Sequence, residues 1–465
     1  MAAGLRLVLR AGVQEAGVGE ARDRELHLAS RESETSGRPL GLWRSTALVV
    51  GNMVGSGVFL LPASLALYGG ISLLGWALST AGAVILALVF ARWGRIMPEV
   101  GGPYAYTRRG FGDFGGFLVG WGYWISIWSG NAAIATAFVG YLGVFVPALS
   151  GSPALAAVTA AGAIWLLSWV NAKGVREAGI VQVATTALKL LPLIAVGTLG
   201  LLYFDAGNFR PFNVSDQTTF SALTATAALT IWAFLGLESA TIPANDVRDP
   251  SRTIPRATTA GTLTAGVVYV LGTIGVMGVL APAVLSGSTA PFADAAGAMW
   301  GGWASYAVAA GAAIACFGAL NGWILLSGQV PFATAKDGLF PAAFGRLSKN
   351  GTPVFGIVVS GVLATALLLM NYTRGLVGAF TFIILLSTLH TLFPYVMCTA
   401  GAFLVRDHAG ERRIPWQLVP ALAFVFSLWA IAGLGRDTVY WGFLLLLAGV
   451  PVYVWMKRSH RGVGE

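Results

Sequence analysis

The chain has 465 residues, 56% of them hydrophobic and only 11% charged, with a formal net charge of +9. That much apolar surface excludes a soluble fold, and long uncharged windows recurring to the end exclude a β-barrel, whose segments are short and alternate. The basic excess is a topology signal and not a nucleic-acid signal: of 29 Lys and Arg, seven lie between Arg6 and Arg44, most others in alternate loops, and only Arg210, Arg374 and Arg436 in the opposite loops, which places both termini in the cytoplasm.

Residues 1–40 are polar and mixed in charge, and read as a disordered cytoplasmic tail with no cleavable signal peptide. A transporter-like domain is expected over 41–456, with 457–465 as a short cytoplasmic tail. Apolar windows fall near 43–67, 72–97, 116–147, 153–170, 179–204, 220–243, 257–281, 303–329, 354–371, 376–405, 416–435 and 438–456. They predict an all-α polytopic membrane protein of about 12 transmembrane helices.

The first window carries Gly51-Asn-Met-Val-Gly-Ser-Gly-Val-Phe-Leu-Leu-Pro62, with Gly55, Ser56 and Gly57 at its centre. Gly51 and Gly55 make a Gly-x-x-x-Gly packing pair. The alternative is a broken helix, whose bare amides and carbonyls hold a ligand's charged ends. A second copy favours the break: Gly236-Leu-Glu-Ser-Ala-Thr-Ile-Pro243 repeats the frame Gly55…Pro62 at an offset of 181 residues. Such paired interruptions predict a 5+5 inverted repeat with helices 1 and 6 broken, plus two extra helices. Between spans 2 and 3, Pro98–Gly112 reads as a gating loop or a plain interfacial connector. Cys316 and Cys398 both fall in apolar windows and imply neither a disulfide framework nor a metal site.

Glu238 is the one acidic residue placed within a bilayer core by this map. Its insertion cost of roughly 2.5–3.5 kcal/mol makes it a candidate proton carrier, against the alternative of a structural carboxylate. Lys189 is the matching cation, either beside the broken helix or snorkelling from a span end. Trp232 and Trp323 stand at expected breaks in spans 6 and 8, where a ring face can hold a cation or simply pack. Ser126, Asn131 and Ser387 add neutral donors and acceptors, and His390 reads as a satisfied interior histidine.

These motifs, with Gly102-Pro-Tyr-Ala-Tyr-Thr-Arg-Arg109, Tyr123-Trp124, Gly130-Asn131, Trp232-Ala-Phe-Leu-Gly-Leu-Glu-Ser239, Gly322-Trp323, Asp337-Gly-Leu-Phe-Pro341 and Phe393-Pro-Tyr395, resemble those of the amino acid–polyamine–organocation superfamily, most closely its arginine/agmatine exchangers. The resemblance implies an inner-membrane carrier working by alternating access, which exchanges a basic amino acid for its decarboxylated amine and thereby expels protons. It implies that Ser56 and Gly57 meet the substrate carboxylate, with Asn52 in the same unwound region of the binding site, and that the backbone of Trp232 and Leu235 meets its amino group. Trp323 is implied to stack on the substrate side chain amid Ser126, Asn131 and Ser387, with Tyr104, Tyr123, Glu238 and Tyr395 as gating or coupling positions. Lys189 departs from that branch and is similar to a lysine of proton-coupled amino acid symporters, so a symporter of broader specificity is the rival expectation, and a nutrient sensor a weaker one. The expected partners are a small amino acid or polyamine, protons and the lipid bilayer, with a homodimer as a candidate assembly and no cofactor. A membrane enzyme would need clustered polar catalytic groups, and the embedded polar residues are too dispersed for that.

Overall fold

The computed structural model describes residues 40–97, 102–174, 190–241, 247–404 and 414–461. Among these the chain is helical, with no strand and a single isolated bridge between Leu40 and Val247. Helices α1 (Leu42–Met53) and α2 (Ser56–Ala66) are the halves of the first apolar window. Between them Val54 (φ −75°, ψ 85°) and Gly55 (φ −124°, ψ −143°) leave the helical region. Then come α3 (Ser72–Ile96), α4 (Pro103–Leu142), α5 (Pro153–Ala172), α6 (Leu190–Tyr203) and α7 (Thr219–Ile231).

A second interruption follows α7. Trp232–Phe234 tighten into a 3-10 turn, Leu235 is extended at ψ 135°, Gly236 stands at φ +100°, and Ser239–Thr241 form another 3-10 turn. That positive φ is one a side chain would strain, which accounts for glycine at the corner. The remaining longer helices are α8 (Pro250–Val279), α9 (Gly302–Lys336), α10 (Val354–Asn371), α11 (Gly375–Gly401), α12 (Ile414–Ala432), α13 (Arg436–Leu447) and α14 (Gly449–Arg461), with the short helices Pro282–Leu285 and Pro291–Trp300 between α8 and α9.

Among the described residues eight stretches are long and apolar enough to cross a membrane, and three shorter apolar helices accompany them: Leu190–Tyr203, Thr219–Phe234 and Gln417–Ala432. One of the eight, Val354–Gly401, is α10 and α11 together, divided by the 3-10 turn Tyr372–Arg374. Burial orders the elements. In the apolar window of Leu42–Ala66 88% of residues are buried, against 22% for Arg436–Arg458, so the broken pair sits centrally and α13–α14 at the rim. Close helix approach depends on small residues: a methyl group at Gly75 (α3) would lie 2.5 Å from Thr226 Oγ1 (α7), and one at Gly261 (α8) 2.6 Å from Val49 (α1). The Tyr141 hydroxyl of α4 donates to the Phe59 carbonyl of α2 at 2.6 Å, with the two rings edge to face, and so pins α2 in place.

Two local expectations change. The stretch Pro98–Gly112 is not a loop throughout, because a helix starts at Pro103 and kinks at Gly112 (φ +72°) before running on to Leu142; residues 98–101 lie outside the described ones. Proline preset for the first helical position opens it, and Tyr106, stacked on Trp93 at 5.0 Å between ring centroids, anchors it inward. Trp323 sits at no break either, since α9 is continuous from Gly302 to Lys336.

Candidate substrate site

The two interruptions meet at an internal cavity of about 50 Å3, room for a few water molecules. Asn52, Met53, Gly55 and Gly57 line it from the first break, and Trp232, Leu235, Gly236 and Glu238 from the second. Helix α4 contributes Tyr123, Ser126, Ile127, Gly130 and Ile134; α9 gives Trp323, and α11 gives Ser387 and Thr391. A substrate as long as an amino acid enters only if lining side chains move.

Glu238 is fully buried and is the one charged side chain lining the cavity among the described residues. Its carboxylate accepts hydrogen bonds from two tyrosines of different helices, Tyr123 Oη of α4 at 2.5 Å and Tyr395 Oη of α11. Charge-assisted bonds of this kind satisfy a carboxylate that burial would otherwise leave uncompensated. They also tie α4 and α11 to the second break through a single group.

The hydroxyls near the cavity are already committed as donors. Ser126 Oγ donates to the Tyr123 carbonyl at 2.7 Å and Ser387 Oγ to the Ser126 carbonyl at 2.8 Å. Their lone pairs remain available, so the serines face a ligand as acceptors, matching an ammonium group. Asn131 is buried, but it is not among the lining residues, and its Oδ1 has no hydrogen-bond partner.

The two tryptophans differ in surroundings. Trp232 stands edge-on to Phe380 (5.7 Å, 85°) and presses on the first break, where a methyl at Gly57 would lie 2.4 Å from Trp232 Cζ3. Trp323 borders the second break, its Cζ2 3.5 Å from where a methyl at Gly236 would stand. Gly57→Ala therefore forces the Trp232 ring aside. Overpacking there costs about 1–3 kcal/mol of stability and displaces a wall of the cavity, so transport slows, whereas Gly55→Ala, facing Ala319 Cβ at 3.3 Å, is milder. Flux measured beside thermal stability checks the pair, and equal losses at both positions contradict the close Gly57–Trp232 contact.

The other expected residues lie elsewhere. Tyr104 donates to Asp337 Oδ2 at 2.9 Å, in a network where Arg108 bridges Asp337 and Asp113, and Lys457 of α14 reaches Asp113 at 3.0 Å. His390 is fully buried with Nδ1 2.8 Å from the Leu386 carbonyl, and it is not among the lining residues. The Ser56 side chain and Lys189 fall outside what the structure describes. Sequence reasoning missed Met53, Gly55 as a wall residue, Gly130, Ile134, Gly236 and Thr391. Helical spacing held the signal for several of them: Ser126, Gly130 and Ile134 succeed one another at i, i+4, i+8, and Thr391 is four residues beyond Ser387.

Comparison with known proteins agrees with this architecture. The amino acid permease family profile matches residues 40–453. The cadaverine/lysine antiporter of Escherichia coli (strain K12) is 37% identical over 436 residues, covering 92% of this chain and 96% of the relative. The putrescine transporter PotE of Haemophilus influenzae is 30% identical over 418 residues, covering 89% and 96%. Among solved structures, MhsT in complex with L-phenylalanine matches with a TM-score of 0.55 at 15% identity, over 84% of this chain and 98% of that one, a likeness of fold alone. Both the family profile and the 37% identical relative extend over nearly the whole chain, which therefore belongs to the amino acid permease family of the amino acid–polyamine–organocation superfamily, as a multi-pass membrane protein.

Proposed function

We propose that this permease exchanges a basic amino acid for its decarboxylated amine by alternating access across the bacterial inner membrane. The observation that carries the reading is Glu238, a lone buried carboxylate on a cavity where two helix breaks meet. The breaks at Gly55 and Gly236 stand in the 181-residue register read from the sequence, which supports the 5+5 inverted repeat and about 12 spans. In this reading the substrate carboxylate takes the bare amides at the N-terminus of α2, around Ser56 and Gly57. The ammonium ends take backbone carbonyls near Trp232 and Leu235, the serine acceptors and the Trp323 face. Tyr123, Glu238 and Tyr395 move as the coupling group between the two breaks, and Tyr104, held by Asp337, acts at one gate.

Lysine and cadaverine fit better than the arginine and agmatine implied by the motif resemblance. The 37% identical relative is a cadaverine/lysine antiporter. Decarboxylation in the cytoplasm consumes a proton for each amino acid, so amine export expels protons. Binding of labelled cadaverine to the purified protein tests the pairing: lysine competes better than arginine or agmatine, and alanine barely competes. Equal competition by alanine overturns the basic-substrate reading.

The orientation carries its own prediction. Cysteines at Gly207 and at Gly287, both exposed, are labelled by an impermeant reagent from the periplasmic side, and one at exposed Ser251 is not. The native thiols Cys316 and Cys398 are buried and add little background. Labelling of the Ser251 site from outside contradicts the cytoplasmic placement of the basic loops.

A further inference from the structure

We propose that the junction of α3 and α8 is a binding site for a phosphate group, carried by an anionic lipid headgroup or by a small soluble phosphate. Three arginines converge there. Arg95 stands in the last turn of α3, and Arg252 and Arg256, four residues apart, stand in the first two turns of α8. With Ser251 and Pro255 they line an open pocket of about 380 Å3, within the size range of small-ligand sites. None of its lining residues belongs to the cavity around Glu238.

Packing fixes the arrangement. A methyl at Gly94 would lie 2.6 Å from Ile254 Cγ2, so the end of α3 and the start of α8 touch almost backbone to side chain. Gly94 precedes Arg95, and Ile254 lies between Arg252 and Arg256, so the tight contact sets three guanidinium groups around one pocket. Thr253, Ile254 and Pro255 are buried while the three arginines are exposed, which leaves the charges pointing out of a rigid base.

Among the described residues none of the three arginines makes an ion pair; those of the neighbouring network go to Asp113 and Asp337 instead. Asp249, at the N-cap of α8, is exposed and makes no side-chain capping bond. The N-terminus of a 30-residue helix adds partial positive charge at the same place. Clustered like charges repel, and an anion relieves that repulsion. Guanidinium groups present planar pairs of donors matched to phosphate oxygens, and the Ser251 hydroxyl supplies one more. The pocket lies where the C-terminal end of α3 adjoins the N-terminal end of α8, and basic groups at the ends of apolar helices meet the headgroup layer of a membrane, so the lipid is the favoured source.

The test compares the full-length protein with Arg95→Gln/Arg252→Gln/Arg256→Gln and with the single variant Arg256→Gln. Phosphatidylglycerol retained by native mass spectrometry, and Tm in nanodiscs of phosphatidylcholine with and without phosphatidylglycerol, are the readouts. The wild type retains phosphatidylglycerol and gains Tm from it. The triple variant retains about tenfold less or lower still and gains nothing, with its Tm in pure phosphatidylcholine unchanged. Should the triple variant fail to fold, the single variant shows the same loss in smaller degree. A Tm gain from millimolar inorganic phosphate in detergent, present in wild type and absent in the variants, assigns the site to a soluble phosphate. Wild type and variants responding identically to both probes overturns the proposal.

Discussion

Glu238→Gln slows exchange by about tenfold or more and flattens its dependence on pH, while the protein still folds. The carboxylate accepts hydrogen bonds from both Tyr123 and Tyr395, one on each oxygen. Glutamine keeps the shape but presents one oxygen and one NH2 group, so one tyrosine meets a donor where it had an acceptor and must turn. Hydrogen bonds to a charged group are worth roughly 1.5–3 kcal/mol, and about 1.4 kcal/mol is a factor of ten. The amide also cannot take up or release a proton, so any step gated by protonation at this position loses its pH dependence. Exchange rates in proteoliposomes from acidic to neutral pH decide the matter. A variant with the wild-type pH profile returns Glu238 to a structural role.

Trp323→Leu weakens binding of the cationic substrate by roughly tenfold or more and that of a neutral amino acid much less. A long ammonium-bearing side chain leaves water on entering a narrow cavity, and the one carboxylate there already serves two tyrosines. The indole face of Trp323 offsets part of that desolvation, by ~2 kcal/mol or more in a dry site. Trp232 is less free for this task, being edge-on to Phe380 and against Gly57. Leucine keeps the apolar bulk without the ring's quadrupole. Competition binding with lysine and with alanine separates the two effects, and equal weakening of both makes Trp323 a packing element.

Local chemistry made much of this legible in the sequence. Gly55, Ser56 and Gly57 inside an apolar window, and Gly236 in the same frame 181 residues later, marked interruptions that the backbone does contain. Glu238 stood out because a carboxylate is costly in such a window. Family resemblance marked Tyr123 and Tyr395 only as gating or coupling positions; their bonds to Glu238 were not legible, since they lie 115 and 157 residues away in the chain and nothing local links them. Parts of the cavity wall escaped for another reason: Ile134 and Gly130 have the composition of any apolar helix face, and only packing sets which face turns inward. The helical start at Pro103 was signalled by proline but outweighed by the glycines at 101, 102, 110 and 112. The Arg95, Arg252 and Arg256 pocket was visible only as loop charge until Gly94 and Ile254 brought the two helix ends together.

Counterflow tests the account's central claim most directly. Proteoliposomes holding the purified protein are loaded with cadaverine, with agmatine or with buffer, and uptake of labelled lysine is followed. Obligatory exchange predicts fast uptake into cadaverine-loaded vesicles, slower uptake into agmatine-loaded ones, and almost none into empty vesicles with or without an imposed pH gradient. Uptake into empty vesicles driven by a pH gradient, and unaffected by internal cadaverine, contradicts the exchanger and makes the protein a proton-coupled symporter.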